Sequence, residues 1–441
     1  MMIPKTIGLS CAALLMAAPA MAESNFGCSG LEQNRELPSI EGKDGVFFRI
    51  NADLRMNHPF SDQTVASLAE LSEALAANGT TLIYVPIPTK SVTMPDHLPD
   101  EAPLYGFDLE IATFVHDEIL QRLSDAGVLT VDARTAMLGA PQDDPAFFKA
   151  DFHWSASGAR ETAKAIADVI KAHPSYADLT PTTFETSPQD TDIAFSGMRR
   201  ILQQHCVDTL PEAVTMTYET QQSGNLDISG GLDLFGDGED AVPIALVGTS
   251  FSDSPINNFP GFLAEYSQLE VVNYAITGGN QYGAMISYLT SPEFQDTRPK
   301  FLIWENPIYN NLAQFGDQPM RELIAAAGRS CTMELQADVA DDLTSLTVDL
   351  AAYDLGLNDT LLVDTNKSIG LSADFRFRSS EGLERTKTIV RGERLTRTGR
   401  FYMPLSGLWP DGAVSMDFTM TQRFASPPTV HACTSNRKED S

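Results

Sequence analysis

Positive charge is scarce in this chain. Its 441 residues hold 30 Lys and Arg against 59 Asp and Glu, for a formal net charge of -29. Such a surface cannot neutralise a phosphate backbone, which excludes general nucleic-acid binding. Any anionic ligand must therefore find a local basic patch. Cysteine is also scarce, with five in the whole chain. None forms C-x-x-C and no zinc-type spacing occurs, so neither a structural zinc nor any other metal is implied. Beyond residue 22 no apolar run is long enough to span a bilayer.

The first 22 residues read as a secretory leader. Lys5 gives a positive start, residues 7–16 an apolar core, and Ala20-Met21-Ala22 a small-residue cleavage site. Cleavage near Ala22 would leave an exported chain, most simply periplasmic. Cys11 lies in the leader, so Cys28, Cys206, Cys331 and Cys433 remain. An oxidising compartment makes two disulfides the expectation. Four cysteines allow three pairings. Cys331 and Cys433 bracket the last hundred or so residues and are expected to pair, which leaves Cys28 with Cys206.

About 420 mature residues exceed one ordinary domain. Residues 23–60 read as a polar arm. Ser61 or Asp62 caps a helix with Val65, Leu68, Leu71 and Leu75 on one side. Residues 81–86 read as a buried strand. A helix capped by Asp108 should bury Ile111, Phe114, Val115, Ile119 and Leu123. Strands then recur near residues 128–131, 242–247, 269–274 and 301–304, with helices between. This pattern predicts an open, mostly parallel α/β sheet with helices on both faces. Residues 174–240 are polar and weakly patterned, and read as an insertion or extended loop. From residue 331 onward short period-two runs predict a small β-sandwich. The expected domains are thus 23–330 and 331–441.

Gly248-Thr249-Ser250-Phe251 follows an apolar run. A tight turn at the carboxyl end of a strand is how such sheets display a nucleophilic serine. Asp151 and His153 are two apart, so in an extended loop their side chains share a side. The carboxylate could then fix the imidazole tautomer. The paired glycines 278 and 279 follow the next strand and could present N–H groups to an oxyanion.

Together, Phe-Phe-Lys-x-Asp-x-His-Trp, Gly-Thr-Ser-Phe, Asn-Tyr-Ala-x-x-Gly-Gly and Trp-Glu-Asn-Pro resemble the SGNH-hydrolase-like alginate O-acetyltransferases of bacterial periplasms. The likeness covers roughly residues 30–330. The terminal module and its bracketing cysteines resemble the two-domain member of that family, whose second domain is a carbohydrate-binding β-sandwich. The resemblance implies Ser250 as nucleophile, His153 as general base and Asp151 as its orienter. It also implies an oxyanion hole from the Ser250 N–H and the Gly278-Gly279 turn. The usual asparagine of the hole has no clear counterpart; Asn306 lacks the expected setting. Lys90 and Tyr282 are candidate polymer contacts. The implied reaction is ping-pong acetyl transfer through an acetyl-serine, with an acetyl donor but no diffusible cofactor. Implied partners are an acidic polysaccharide such as alginate and proteins of a modification or secretion complex.

Residues 376–400 carry eight basic side chains, among them Arg391, Arg394 and Arg397, opposed by Glu381, Glu384 and Glu393. Arginine forks match uronate carboxylates. Two rival functions use the same residues: an exported carbohydrate esterase with the same triad, and a non-catalytic polysaccharide-binding scaffold.

Overall fold

A computed structural model describes residues 24–223, 242–328 and 330–434. The expected leader and glycines 224, 230, 231, 236 and 238 lie outside the described residues. The N-terminal arm contains a hairpin, β1 (Ser39–Glu41) and β2 (Phe47–Arg49). Alternation along β2 sends Phe48 into the main core and Phe47 into a small separate one. Helix α1 (Asp62–Ala76) is capped by Ser61, whose hydroxyl accepts the Thr64 N–H at 3.2 Å. Next come β3 (Thr81–Ile87), α2 (Lys90–Thr93) and α3 (Leu109–Asp125), followed by β4 (Leu129–Thr130), α4 (Ala133–Met137) and α5 (Ala156–Ala172). Helix α3 faces differently from expectation. Ile111 and Phe114 are exposed, while Ala112, His116, Ile119 and Leu123 are buried. The inward stripe runs through one small and one polar residue, which an apolar count passes over.

Residues 174–223 are not a loop. They form β5 (Phe184–Ala194), α6 (Gly197–Gln203) and β6 (Ala213–Gln222), with β5 and β6 paired as an antiparallel ribbon. The ribbon was illegible because most of β5 is exposed on both faces, leaving no alternation to read. Arg160 anchors it by lying over both Tyr218 and Phe262. The chain continues through β7 (Ile244–Val247), α7 (Ser250–Asp253), α8 (Phe259–Ser267), β8 (Val271–Asn273), α9 (Gly283–Leu289), α10 (Pro292–Asp296), β9 (Phe301–Pro307) and α11 (Gln318–Ala327). Five strands make one parallel sheet in the order β4-β3-β9-β7-β8.

Period-two alternation divides the sheet between two cores. Ile83, Val85, Leu246 and Ile303 pack against α5 and α8; Leu82, Tyr84, Val247 and Trp304 pack against α1, α9 and α11. Burial on both sides explains why these strands read as continuous apolar runs.

The remainder forms β10 (Met333–Leu335), β11 (Ala337–Val339), β12 (Ser345–Asp349), β13 (Thr360–Asp364), β14 (Ser372–Arg378), β15 (Glu384–Val390), β16 (Arg400–Pro404), β17 (Ser415–Met420) and β18 (Thr429–Cys433). These make a four-stranded sheet, β10-β18-β13-β16, and a five-stranded sheet, β11-β12-β17-β14-β15. Every pairing is antiparallel. The sheets share a core that includes Leu346, Leu361, Phe375, Phe401 and Phe418. Disulfides join Cys28 to Cys206 and Cys331 to Cys433. The loop between β15 and β16 reaches back to the parallel sheet's helices. Thr396 N–H donates to Ser287 Oγ at 3.1 Å, and Thr398 Oγ1 lies 2.9 Å from Thr290 Oγ1. Among the described residues no helix is long and apolar enough to cross a membrane.

Candidate active site

Ser250 opens α7, directly past the carboxyl end of β7. Thr249 is the cap. Its hydroxyl accepts the Phe251 N–H, and its carbonyl accepts those of Ser252 and Asp253. Among the described residues no acceptor takes the Ser250 N–H, one of the orphan donors at a helix start. Residues 147–154 form a tight antiparallel turn with Phe147 bridged to Trp154. Trp154 is a buried anchor: its Nε1 donates to Phe251 O at 2.8 Å and ties this turn to the serine turn.

That tie brings together groups 97 residues apart. His153 Nε2 lies 2.8 Å from Ser250 Oγ, and Nδ1 lies 2.6 Å from Asp151 Oδ1. Asp151 Oδ1 also accepts the His153 N–H at 2.8 Å, while Oδ2 accepts Ser196 Oγ at 2.5 Å. Burial works to raise the Asp151 carboxyl. The bonds and charge of His153, with the Ser196 bond, nevertheless hold it below the usual carboxylate range. Ser196 comes from the N-cap of α6, within the segment expected to be a loop.

A cavity of about 640 Å³ opens on Ser250 and His153. Its other walls include Phe152, Ile193, Phe195, Asn257 and Thr277. Phe195 and Ile193 are exposed, at 80% and 54%, and give the mouth an apolar rim. Asn257 is buried, with its Oδ1 unpartnered among the described residues.

Several candidate residues are placed differently from expectation. Lys90 is 1% exposed and donates to the carbonyls of Phe47, Phe148, Lys149 and Asp151. It fills the centre of the 147–154 turn as an internal cation and cannot meet a polymer. Tyr282 is buried too, its hydroxyl bonded to Leu312 O. Gly278 does take a positive φ, but the Gly279 N–H is used within the turn by Ile276 O at 3.1 Å. Asn306 is buried and donates to the Tyr84 hydroxyl, away from the serine.

The basic stretch is not one free face. Arg391 pairs with Glu322, which is 0% exposed. Arg376, Arg378 and Arg400 pair with Asp417, Glu384 and Asp364. Arg394 donates to Thr277 O at 3.0 Å, at the cavity wall, and Arg397 is exposed. Among the described residues no group of three or more His, Cys, Asp or Glu is placed to hold a metal.

Sequence reasoning missed Glu305 on β9. This fully buried carboxylate accepts from the Thr249 N–H at 2.7 Å and from the Thr249 and Ser252 hydroxyls. Its signal was a charged residue closing an otherwise apolar strand.

The family signature described as "SGNH hydrolase-like domain, acetyltransferase AlgX" matches residues 40–308. The chain belongs to this SGNH hydrolase-like, AlgX-type acetyltransferase family. The alginate biosynthesis protein AlgX of Pseudomonas aeruginosa is 32% identical over 62% of this chain and 56% of its own length. That of Azotobacter vinelandii is 32% identical over 72% of this chain and 63% of its own length. The alignments thus leave more than a third of these AlgX relatives unmatched. The solved structure of Pseudomonas aeruginosa AlgX superposes with a TM-score of 0.75 at 23% identity, covering 90% of this chain and 94% of that one. It shares the AlgX-type fold, including the antiparallel sheets that follow the parallel one.

Proposed function

We propose that this protein is an exported, periplasmic polysaccharide O-acetyltransferase that carries its acetyl group on Ser250. The observation that carries the reading is the unbroken chain from Ser250 Oγ through His153 to Asp151. His153 takes the serine proton as Ser250 attacks the donor carbonyl, and Asp151 stabilises the imidazolium. The Ser250 N–H, with the Asn257 amide on the same cavity, receives the oxyanion. His153 protonates the leaving group. It then deprotonates a sugar hydroxyl, which takes the acetyl group and frees Ser250.

The acceptor is a uronate polymer such as alginate, the polymer whose biosynthesis the AlgX relatives are named for. A pyranose ring can lie on the apolar rim at Phe195, and the exposed Arg394 and Arg397 can meet its carboxylates. Carbohydrate binding by the β-sandwich and action beside other proteins of a modification complex belong to the same proposal.

The test is intact-mass analysis after addition of p-nitrophenyl acetate, followed by acidic oligosaccharide. The expected result is an acetyl adduct on the wild type, none on S250A, and transfer to the sugar. Acetyl released only to water, with abundant oligosaccharide present, would make the protein an esterase. Full function in S250A would make it a scaffold.

A further inference from the structure

We propose that Glu305 is a positioning residue for the nucleophile: its carboxylate clamps the Gly248–Ser252 turn from below and supports the positive charge that forms on His153. The inference rests on the acyl-serine reading above. Three donors converge on one buried carboxyl group. Oε2 takes the Thr249 N–H at 2.7 Å and Ser252 Oγ at 2.9 Å, and Thr249 Oγ1 lies 3.1 Å from Oε1. Thr249 and Ser252 stand on either side of Ser250 and its neighbour Phe251, so the clamp fixes the turn at both ends. The fit is close enough to dictate the sequence of the turn. A Cβ on Gly248 would lie 2.4 Å from Glu305 Oε2 and 3.0 Å from its Cβ.

The clamp is also electrostatic. An ionised acceptor makes stronger bonds to N–H and O–H than a neutral one, and its charge acts through a dry interior. The titratable groups facing it are His153 from the 147–154 turn, Tyr84 on β3 and Tyr309 just past β9. Burial first, and then the Glu305 charge among other causes, pushes both phenols up. They stay neutral in the working range, so His153 is the group whose charge Glu305 meets during turnover. Burial also pushes the Glu305 carboxyl up, to about 7, against the bonds from Thr249 and Ser252. Glu305 must then lose a proton before the clamp reaches full strength.

The test is the rate at which a fluorophosphonate labels Ser250, measured against pH, in wild type, E305Q and S252A. Gln keeps the shape and can still accept the Thr249 N–H, so E305Q should fold; circular dichroism checks this. The expected result is an acid limb in wild type to which the ionisation of Glu305 contributes. In E305Q the limb should be shallower, with the plateau rate lower by about tenfold or more. In S252A the limb should move to higher pH, because one bond to the ionised form is gone. The S252A shift keeps the test decisive if E305Q fails to fold. Equal profiles in all three proteins overturn the role of Glu305 while leaving Ser250 a nucleophile. No labelling of wild type overturns the acyl-serine reading and this inference with it.

Discussion

Replacing Lys90 with methionine keeps the aliphatic stem and removes the ammonium on which the 147–154 turn is wound. Four carbonyl oxygens meet that ammonium: Phe47 at 3.0 Å, Phe148 at 2.7 Å, Lys149 at 3.2 Å and Asp151 at 2.5 Å. The Lys149 oxygen also accepts the Phe47 N–H at 2.8 Å and keeps that partner. The Phe47, Phe148 and Asp151 oxygens lose the donor that holds them. A buried acceptor without a donor costs about 1–3 kcal/mol, so these three give about 3–9 kcal/mol. Part is offset, because burial already lowers the amine to about 8 and removing it relieves that desolvation. A net loss of about 3 kcal/mol is expected, which lowers Tm by roughly 3–5 °C. The Asp151 backbone loosens with it, so acetyl-ester turnover should fall while affinity for acidic oligosaccharide is unchanged. Thermal unfolding followed by circular dichroism, with turnover and oligosaccharide titration on the same samples, checks all three quantities. A Tm within about 2 °C of wild type together with weakened oligosaccharide binding would refute the structural role and restore Lys90 as a polymer contact.

Other perturbations follow from the same contacts. Because Glu305 is raised from 4.5 to about 7, the folded protein holds a proton in that window that the unfolded chain has released, so wild-type stability falls as pH rises through it. The E305Q variant lacks this term. Its stability relative to wild type should rise by about 3 kcal/mol between pH 4.5 and 8 in urea unfolding; a difference independent of pH counts against it. Arg391→Met should destabilise by about 3–5 kcal/mol by leaving Glu322 buried and unpaired, and adding E322Q should restore part of that loss. If R391M instead leaves unfolding unchanged and weakens polymer binding, Arg391 is a ligand group. Ser196→Ala removes one bond to ionised Asp151, so kcat should fall by about tenfold with KM unchanged and the Asp151 carboxyl should move up. An unaltered pH–rate profile would remove Ser196 from the mechanism.

The parallel sheet was legible because its strands are covered on both faces. Ile83 and Leu82 point to opposite cores, yet both cores are apolar, so residues 81–87 read as one run. Asp151 and His153 were legible for a different reason: their partnership is local, two residues along an extended turn. The meeting of His153 with Ser250 spans 97 residues and came from the order of motifs, not from spacing. Charged residues were the hardest to place. Lys90, Arg391 and Glu305 look like surface or ligand groups in a linear chain. Each is buried because its partners lie on distant segments, at Phe148 and Asp151, Glu322, and Thr249 respectively. The β5–β6 ribbon failed for lack of a covered face, and with it went the position of Ser196.

The β-sandwich is fastened to the parallel-sheet unit at two separated places. Its chain ends are cross-linked to each other at Cys331 and Cys433, next to α11. Its 391–399 loop is pinned to α9 and α11 by Thr396, Thr398 and Arg391, and Leu395 presses so close to Gly283 that a Cβ there would lie 2.6 Å from it. A module held at one point can swivel about its tether; held at two, it loses that freedom and becomes a fixed arm. Anything gripped along the arm then keeps one bearing and one distance from Ser250, so the spacing between grip and reaction is set by the architecture and not by a flexible linker.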